Sequence, residues 1–328
     1  MIVLTDTREW SDILLADLKQ GPAESPPGGN WRDLSQSQLS NPEQRLWASM
    51  GPDSTLSRCE ITPVPGLSAW DYLVIIDQAS GSQFDILRGL DPAKLPGAVA
   101  SVAITGRGFH GHHARPWETR RGNLHLSTLC DPNLDAARCG LAMTTLPAVA
   151  VIDALSACGP WSFPPGIKWV NDILIEGRKV AGVLTATQSV RGRLTGLTLG
   201  IGLNVESTPE VSATPFVPAA GCLADHPAGH PSPTIGNMLA GCLRALSSRL
   251  DVVRKAGPEL LIQAYRDNSL VLGRRVVIWP DHPGLDQNEP LARGVVQSIG
   301  PDLSLTLEGH SGPITRGRLA FQSDPDPH

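Results

Sequence analysis

Apolar residues gather into short, separated runs along most of this chain, and the spacing inside each run tells strand from helix. Tyr72–Ile76 is apolar throughout and stops at Asp77, as a buried strand does, and Val99–Thr105 reads the same way. Asn123–Ser127 alternates apolar and polar, the pattern of a strand with one wet face. Leu141, Thr145, Ala148, Ile152 and Leu155 fall at helical spacing and predict a long helix with one face on the sheet. Ile173–Ile175, the turn Glu176-Gly177-Arg178 and Val180–Thr185 predict a hairpin. Thr195–Leu203 is a further strand, ending at Asn204.

Breakers divide the remainder. Six prolines between residues 206 and 233 predict a surface loop. Thr234 then caps a helix whose Met238, Leu239, Cys242, Leu243, Leu246 and Leu250 mark one apolar face. After Gly273 the texture becomes short strands, Arg275–Trp279, Ala292–Ile299, Leu303–Glu308 and Ile314–Phe321, with turns such as Gly300-Pro301-Asp302 between them. They predict a small barrel of roughly 50 residues. Residues 1–66 show poor periodicity, a short helical stretch and a break at Ser25-Pro26-Pro27-Gly28-Gly29, too interrupted for a helix-turn-helix. The expected organisation is an N-terminal extension of unknown role over 1–66, an α+β unit over 67–268, and a small β-domain with a tail over 269–328.

Composition narrows the class. The 328 residues are 41% hydrophobic and 18% charged, and a net charge of −5 offers no basic field for nucleic acid. No apolar run has the length of a membrane span, and the opening Met1–Glu9 carries an early acid where a secretory signal has basic residues. Six scattered cysteines without a CxxC pair suit reduced thiols rather than a zinc or redox site. The expectation is a cytoplasmic enzyme or binding protein, with no nucleic-acid or membrane partner.

Three segments carry chemistry. In Thr105–Gly111, the glycines Gly106, Gly108 and Gly111 let backbone N–H groups approach a phosphate, and Arg107 adds a fixed charge. The letters satisfy GxGxxG, yet no helix follows and Asp131 ends no strand, which argues against a dinucleotide site and leaves a plain tight turn open. In Lys168–Leu174 and Arg178–Leu184, Lys168 and Lys179 flank a hairpin with Asn171 and Asp172 at its entrance. That set can clamp polyphosphate, hold Mg²⁺ and orient an amine, although either lysine alone would read as a solvated charge. Gly182 inside a strand indicates close approach of a ligand or backbone. In Gly200–Asn204, Asn204 either reads a base edge or caps a turn. His110, His112, His113 and His125 invite a metal reading, but no cysteine or carboxylate completes a zinc spacing.

Taken in order, the Gly-Arg-Gly loop, Trp117, Asn123-Leu124-x-Leu126-Ser127, Lys168-Trp-x-Asn-Asp-Ile, Arg178-Lys-Val-Ala-Gly-Val-Leu and Gly200-Ile-Gly-Leu-Asn-Val resemble the catalytic domain of biotin protein ligases. Residues Gly294–Phe321 resemble the SH3-like domain that closes those enzymes, and the resemblance spans about residues 67–323. It implies an α+β, mixed-sheet biotin/lipoate ligase-like domain with a C-terminal SH3-like barrel. The implied activity is ATP-dependent conversion of biotin to biotinyl-5′-AMP, with Mg²⁺, then transfer to a lysine of a biotin carboxyl carrier protein or carboxylase subunit. A homodimer is compatible with it. By resemblance Arg107 and Lys179 hold carboxylate and phosphate oxygens, and Lys168 meets the ATP phosphates. Asn171 and Asp172 sit by the metal and the attacking amine, Trp117 covers the adenylate, Asn204 meets adenine, and Gly182 lies against biotin. Ser80 or Ser82 hydrogen-bonds the biotin ring.

The chain departs from that pattern around the biotin and adenylate. Phe109 replaces an arginine, Ala103 replaces a glutamine, and three extra residues separate Gly111 from Arg115-Pro116-Trp117. Losing one charged hydrogen bond costs about 1.5–3 kcal/mol, and a phenyl ring cannot supply it. Two rival readings follow. One is a ligase for another acid such as lipoate or octanoate, with Ala103 and Phe109 reshaping the pocket. The other is a ligase-derived binding or structural subunit without turnover.

Overall fold

Residues 1–18, 30–50, 56–62, 64–217, 219–226, 232–281 and 289–322 are described by the structure, a computed structural model. The N-terminal section supplies β1 (Ile2–Thr5), α1 (Arg8–Leu18), β2 (Arg32–Leu34), α2 (Asn41–Met50) and β3 (Leu56–Glu60). β1 lies between β3 and β4 (Tyr72–Ala79), antiparallel to the first and parallel to the second. The expected boundary at residue 66 therefore does not separate an extension from the α+β unit, because one sheet's hydrogen bonds cross it. Strands of three to five residues carry too few positions for alternation to register, which is why this section looked unpatterned. The Ser25–Gly29 break lies outside the described residues.

β4 runs parallel to β5 (Val99–Gly106) through α3 (Gln83–Arg88), whose first turn is capped by Ser82 accepting from the Asp85 N–H at 3.4 Å. β6 (Leu124–Cys130) returns antiparallel beside β5 and is buried at every position, not half-wet as its alternation suggested. Short β7 (Leu134–Asp135) and α4 (Ala136–Cys139) lead to α5 (Leu146–Ala157), preceded by an exposed Leu141. α5 is buried on nearly all sides, so its residues pack in every direction rather than along one stripe. β8 (Gly166–Lys168), β9 (Asp172–Ile175) and β10 (Arg178–Val190) follow, with Glu176 and Gly177 at φ 50° and 73°, the left-handed pair that a two-residue hairpin turn needs. β11 (Arg193–Leu203) pairs with β10 and β6, giving the sheet order β2-β3-β1-β4-β5-β6-β11-β10-β9-β8.

Thr234 caps α6 (Ile235–Ala256) by accepting from the Asn237 N–H at 3.1 Å, and the apolar face read from the sequence is buried against α1 and α5. After α7 (Glu259–Asp267), β12 (Arg275–Trp279), β13 (Ala292–Ile299), β14 (Leu305–Leu307) and β15 (Arg318–Phe321) form a small antiparallel sheet in the order β14-β13-β12-β15. All six cysteines are free thiols and five are buried. Among the described residues no helix is long and apolar enough to cross a membrane.

Two layers cover the main sheet. α1, α5 and α6 pack one face, with Leu14, Val149, Leu239 and Leu243 in the core. On the other face α2 and α3 pack together, α3 reaching across to β6 and β11, and Leu4, Trp47, Val74, Ile76 and Leu87 form a second core there. Among the described residues, 1–66 supply six of the fourteen buried residues of this second core. Leu4→Ala should accordingly cost about 2–5 kcal/mol of unfolding free energy in a denaturant titration, the usual range for a filled core position. An unshifted midpoint would mean that the N-terminal strands are peripheral.

Candidate active site

Where α2 and α3 end, the sheet face is floored by small residues. Cross-strand register lines up Gly182 of β10, Gly202 of β11, His125 of β6 and Ala103 of β5 in one row. The next row on the same face is Leu184, Gly200, Ser127 and Ser101. The missing side-chain bulk leaves a cavity of about 250 Å³, with Ser82 and Phe84 from the start of α3 in its wall.

The segment after β5 folds over this floor as a narrow hairpin. Trp117 N–H donates to the Phe109 carbonyl at 2.9 Å, His110 bridges Pro116, and Gly111 N–H donates to the Arg115 carbonyl at 2.7 Å. His112, His113 and Ala114 form the tip, with His113 and Ala114 at φ 56° and 54°, so the three extra residues make a turn rather than blocking the cavity. Thr119 closes the base, donating to the Gly106 carbonyl at 2.7 Å and accepting its N–H at 3.1 Å. His110 ties the hairpin to α3 through a 2.6 Å contact of Nε2 with Asp85, while Nδ1 meets the Gly111 carbonyl at 3.0 Å. Trp117 lies directly on the floor: a Cβ at Gly202 would stand 2.4 Å from its indole, so only glycine fits there. Phe109 turns inward, its ring over Gly106 and edge-on to His125 at 5.9 Å between centroids.

Residues 205–217, expected to be a surface loop, form the opposite wall. Asn123 anchors them, accepting from Val205 and Ser207 N–H at 3.0 and 3.2 Å and donating to the Ser207 carbonyl at 2.8 Å. Val211, Ser212, Thr214 and Val217 then face the cavity. Arg318 of β15 reaches the same wall, its guanidinium 3.6 Å from the centre of the Phe216 ring.

The charged end is built on the β9–β10 hairpin. Lys179 Nζ lies 2.7 Å from the Asp172 carboxylate and 5.6 Å from the centre of the Trp117 ring. Asn171 pins the hairpin by donating from Nδ2 to the Val183 carbonyl at 2.9 Å and accepting the Val183 N–H on its own carbonyl at 3.0 Å. Asn204 lines the cavity while its Nδ2 donates to the Gly221 carbonyl at 2.9 Å, so this amide serves the turn.

Of the residues expected from the sequence, Lys179, Asp172, Asn171, Trp117, Gly182, Asn204, Gly111 and Ser82 meet around one cavity. Arg107, Gly106, Gly108, Ser80 and Lys168 are not in its wall. Arg107 and Ser80 are exposed, Gly108 is in a turn at φ 68°, and Gly106 lies beneath Phe109. Lys168 is 4% exposed and donates to the Phe216 carbonyl, and burial pushes its ammonium down to about 8. No group of three or more His, Cys, Asp or Glu among the described residues is arranged to hold a metal. Phe84, Arg318 and the 211–217 wall were missed, while His125 was read only toward a metal and Ser127 only as part of a motif. For His125 and Ser127 the signal was present, since two polar positions alternate along β6, but only the sheet shows that their face is open.

The family model of the Biotin/lipoate A/B protein ligase family matches residues 93–204. "Biotin--[acetyl-CoA-carboxylase] ligase" of Mycobacterium tuberculosis is 31% identical over 238 residues, which cover 70% of this chain and 81% of that protein. The protein of the same name from Paracoccus denitrificans is 33% identical over 116 residues, 35% of this chain and 46% of that one. Among solved structures, the biotin protein ligase from Aquifex aeolicus in complex with biotin and ATP aligns with a TM-score of 0.57 at 19% identity, over 78% of this chain and all of that one. A biotin protein ligase-like protein of unknown function from a Silicibacter species aligns with a TM-score of 0.52 at 15% identity, over 80% of this chain and 97% of that one. At such identities the two structures speak to the fold.

The His110 tie sets a pH dependence. The hydrogen bond to the Gly111 carbonyl, then that to Asp85, raise the imidazole above its ordinary range. A raised folded value means that the tie contributes fully below the unfolded value of about 6.5 and is lost as pH rises through the folded one. The stability difference between wild type and His110→Ala, measured by denaturant at several pH values, should be largest below about pH 6 and shrink toward alkaline pH. A difference that grows with pH would contradict the assignment.

Proposed function

This chain belongs to the biotin protein ligase family, and on that footing we propose that it activates biotin with ATP and passes the biotinyl group to a lysine of a biotin carboxyl carrier domain. A biotin carboxylate oxygen attacks the α-phosphorus of ATP. The bond from that phosphorus to the bridging oxygen breaks, and pyrophosphate leaves with the electron pair. The neutral ε-amine of the carrier lysine next attacks the acyl carbon, the bond to AMP breaks, and the amine gives up a proton.

The observation that carries this reading is the Lys179–Asp172 pair at the charged end of a glycine-floored trough covered by Trp117. Half-buried Lys179 holds a preorganised positive charge beside the place where carboxylate and phosphate oxygens meet. Asp172 faces the incoming amine and fits magnesium carried on the nucleotide phosphates, since that ion needs only one or two protein carboxylates. Bound magnesium would neutralise phosphate charge. Gly182 and Gly202 leave the room that the Trp117 indole occupies, and that indole covers the adenylate. Arg107 and Lys168 stand outside the cavity, so the charge work falls to Lys179, with Arg115 and Arg318 as further cations at the wall. In this reading the small C-terminal sheet is the SH3-like domain that closes the site, and Arg318 is its contribution.

Incubation with ATP, Mg²⁺ and biotin should release pyrophosphate. Lys179→Ala should lower that rate by about 10²–10³, the loss typical of removing one preorganised donor to a developing charge. The melting temperature should move little, because the lysine sits at the cavity rim. An unchanged rate would place the charge elsewhere. No release with biotin, lipoate or octanoate would favour a binding subunit without turnover.

A further inference from the structure

His125 has no place in the mechanism above, yet it is a buried residue of the cavity wall. It is 3% exposed and lines the cavity, yet neither ring nitrogen has a hydrogen-bond partner among the described residues. A buried donor or acceptor left unmet costs about 1–3 kcal/mol, so such groups in folded proteins are nearly always satisfied. A histidine kept for packing alone would spend its nitrogens on neighbours, as His110 does on Asp85 and the Gly111 carbonyl. The strands flanking His125 withhold such partners: its register neighbours are Ala103 and Gly202, and the ring beside it is Phe109.

Resting on the biotin reading, we infer that His125 selects the acid by its head group, pairing with the adjacent N–H and C=O of a cyclic urea. The residue stands two strands from Gly182 in one register row, and the Lys179 ammonium lies over Gly182, 3.2 Å from where a Cβ would stand; two strand spacings make the separation about 10 Å. That is the reach of an extended pentanoyl chain between a carboxylate at Lys179 and a ring at His125. Burial pushes the imidazole down to about 4, so it is neutral at working pH and presents one donor and one acceptor. This complements a neutral urea, not a carboxylate or phosphate. Ser127 on the same face and Ser82 at the wall add hydroxyls around the same head group. Selection then works chiefly by refusal. An acid of equal chain length with an apolar ring, such as the dithiolane of lipoate, fills the space and leaves both nitrogens unmet.

The test is calorimetric titration of the full-length protein with biotin and with lipoate, for wild type, His125→Leu and His125→Gln. Wild type should favour biotin. His125→Leu should weaken biotin by about tenfold to a hundredfold and leave lipoate unchanged or tighter. His125→Gln should retain most of the biotin preference, because an amide also offers a donor and an acceptor. A fall shared equally by both acids, or a ratio that His125→Leu leaves unchanged, overturns this role while the biotin reading stands. Wild type that favours lipoate overturns both. A second measurement needs no variant: the ring ¹⁵N resonances of His125 in wild type should shift on adding biotin but not lipoate, and resonances indifferent to biotin refute the pairing.

Discussion

Register across β5, β6, β11 and β10 is the constraint on which the rest of the structure depends. Side chains alternate between sheet faces with a period of two, so a slip of one residue would exchange every cavity residue for one now in the core. At β11 that slip would put Ile201 and Leu203 where Gly200 and Gly202 now stand, and the trough would fill. The apolar positions of β6, Leu124 and Leu126, prevent it by packing in the large core with Leu199, Ile201 and Leu203. The core side of the sheet thus fixes the chemistry on its other side.

Much of this was legible in the chain. β4, β5, the β9–β10 hairpin, β11 and capped α6 were written in apolar runs, a turn and a cap, each a local signal. The hairpin's Lys179, Asp172 and Asn171 form one end of the site because they are near in sequence as well as in space. The order of motifs identified the family before any geometry. Short strands were illegible, since β1 and β2 are held by partners far along the chain and not by their own pattern. The proline-rich 206–217 stretch gave no hint of facing a cavity, because its direction comes from Asn123, far upstream.

The glycine-rich loop shows where the same reasoning stops. Glycine grants backbone freedom but does not say what uses it. Here Gly106 yields space to Phe109, Gly108 takes a positive φ, and Gly111 serves the narrow hairpin. The inward turn of Phe109 makes it part of the pocket and not of a charged lid. The lysine at 168 shows a comparable limit. A motif specified it, but its strand carries it to Phe216 and the C-terminal sheet, where burial makes a poorly solvated ammonium.

One side chain joins the two halves of the cavity. Asn123 immediately precedes β6, the strand that carries His125, and its single amide grips the backbone of Val205 and Ser207, where the 205–217 wall begins. The far end of that wall is held from two other directions, since Lys168 donates to the Phe216 carbonyl and the Arg318 guanidinium lies on the Phe216 ring. The root of the wall therefore answers to the floor strand, and its tip to β8 and the C-terminal sheet.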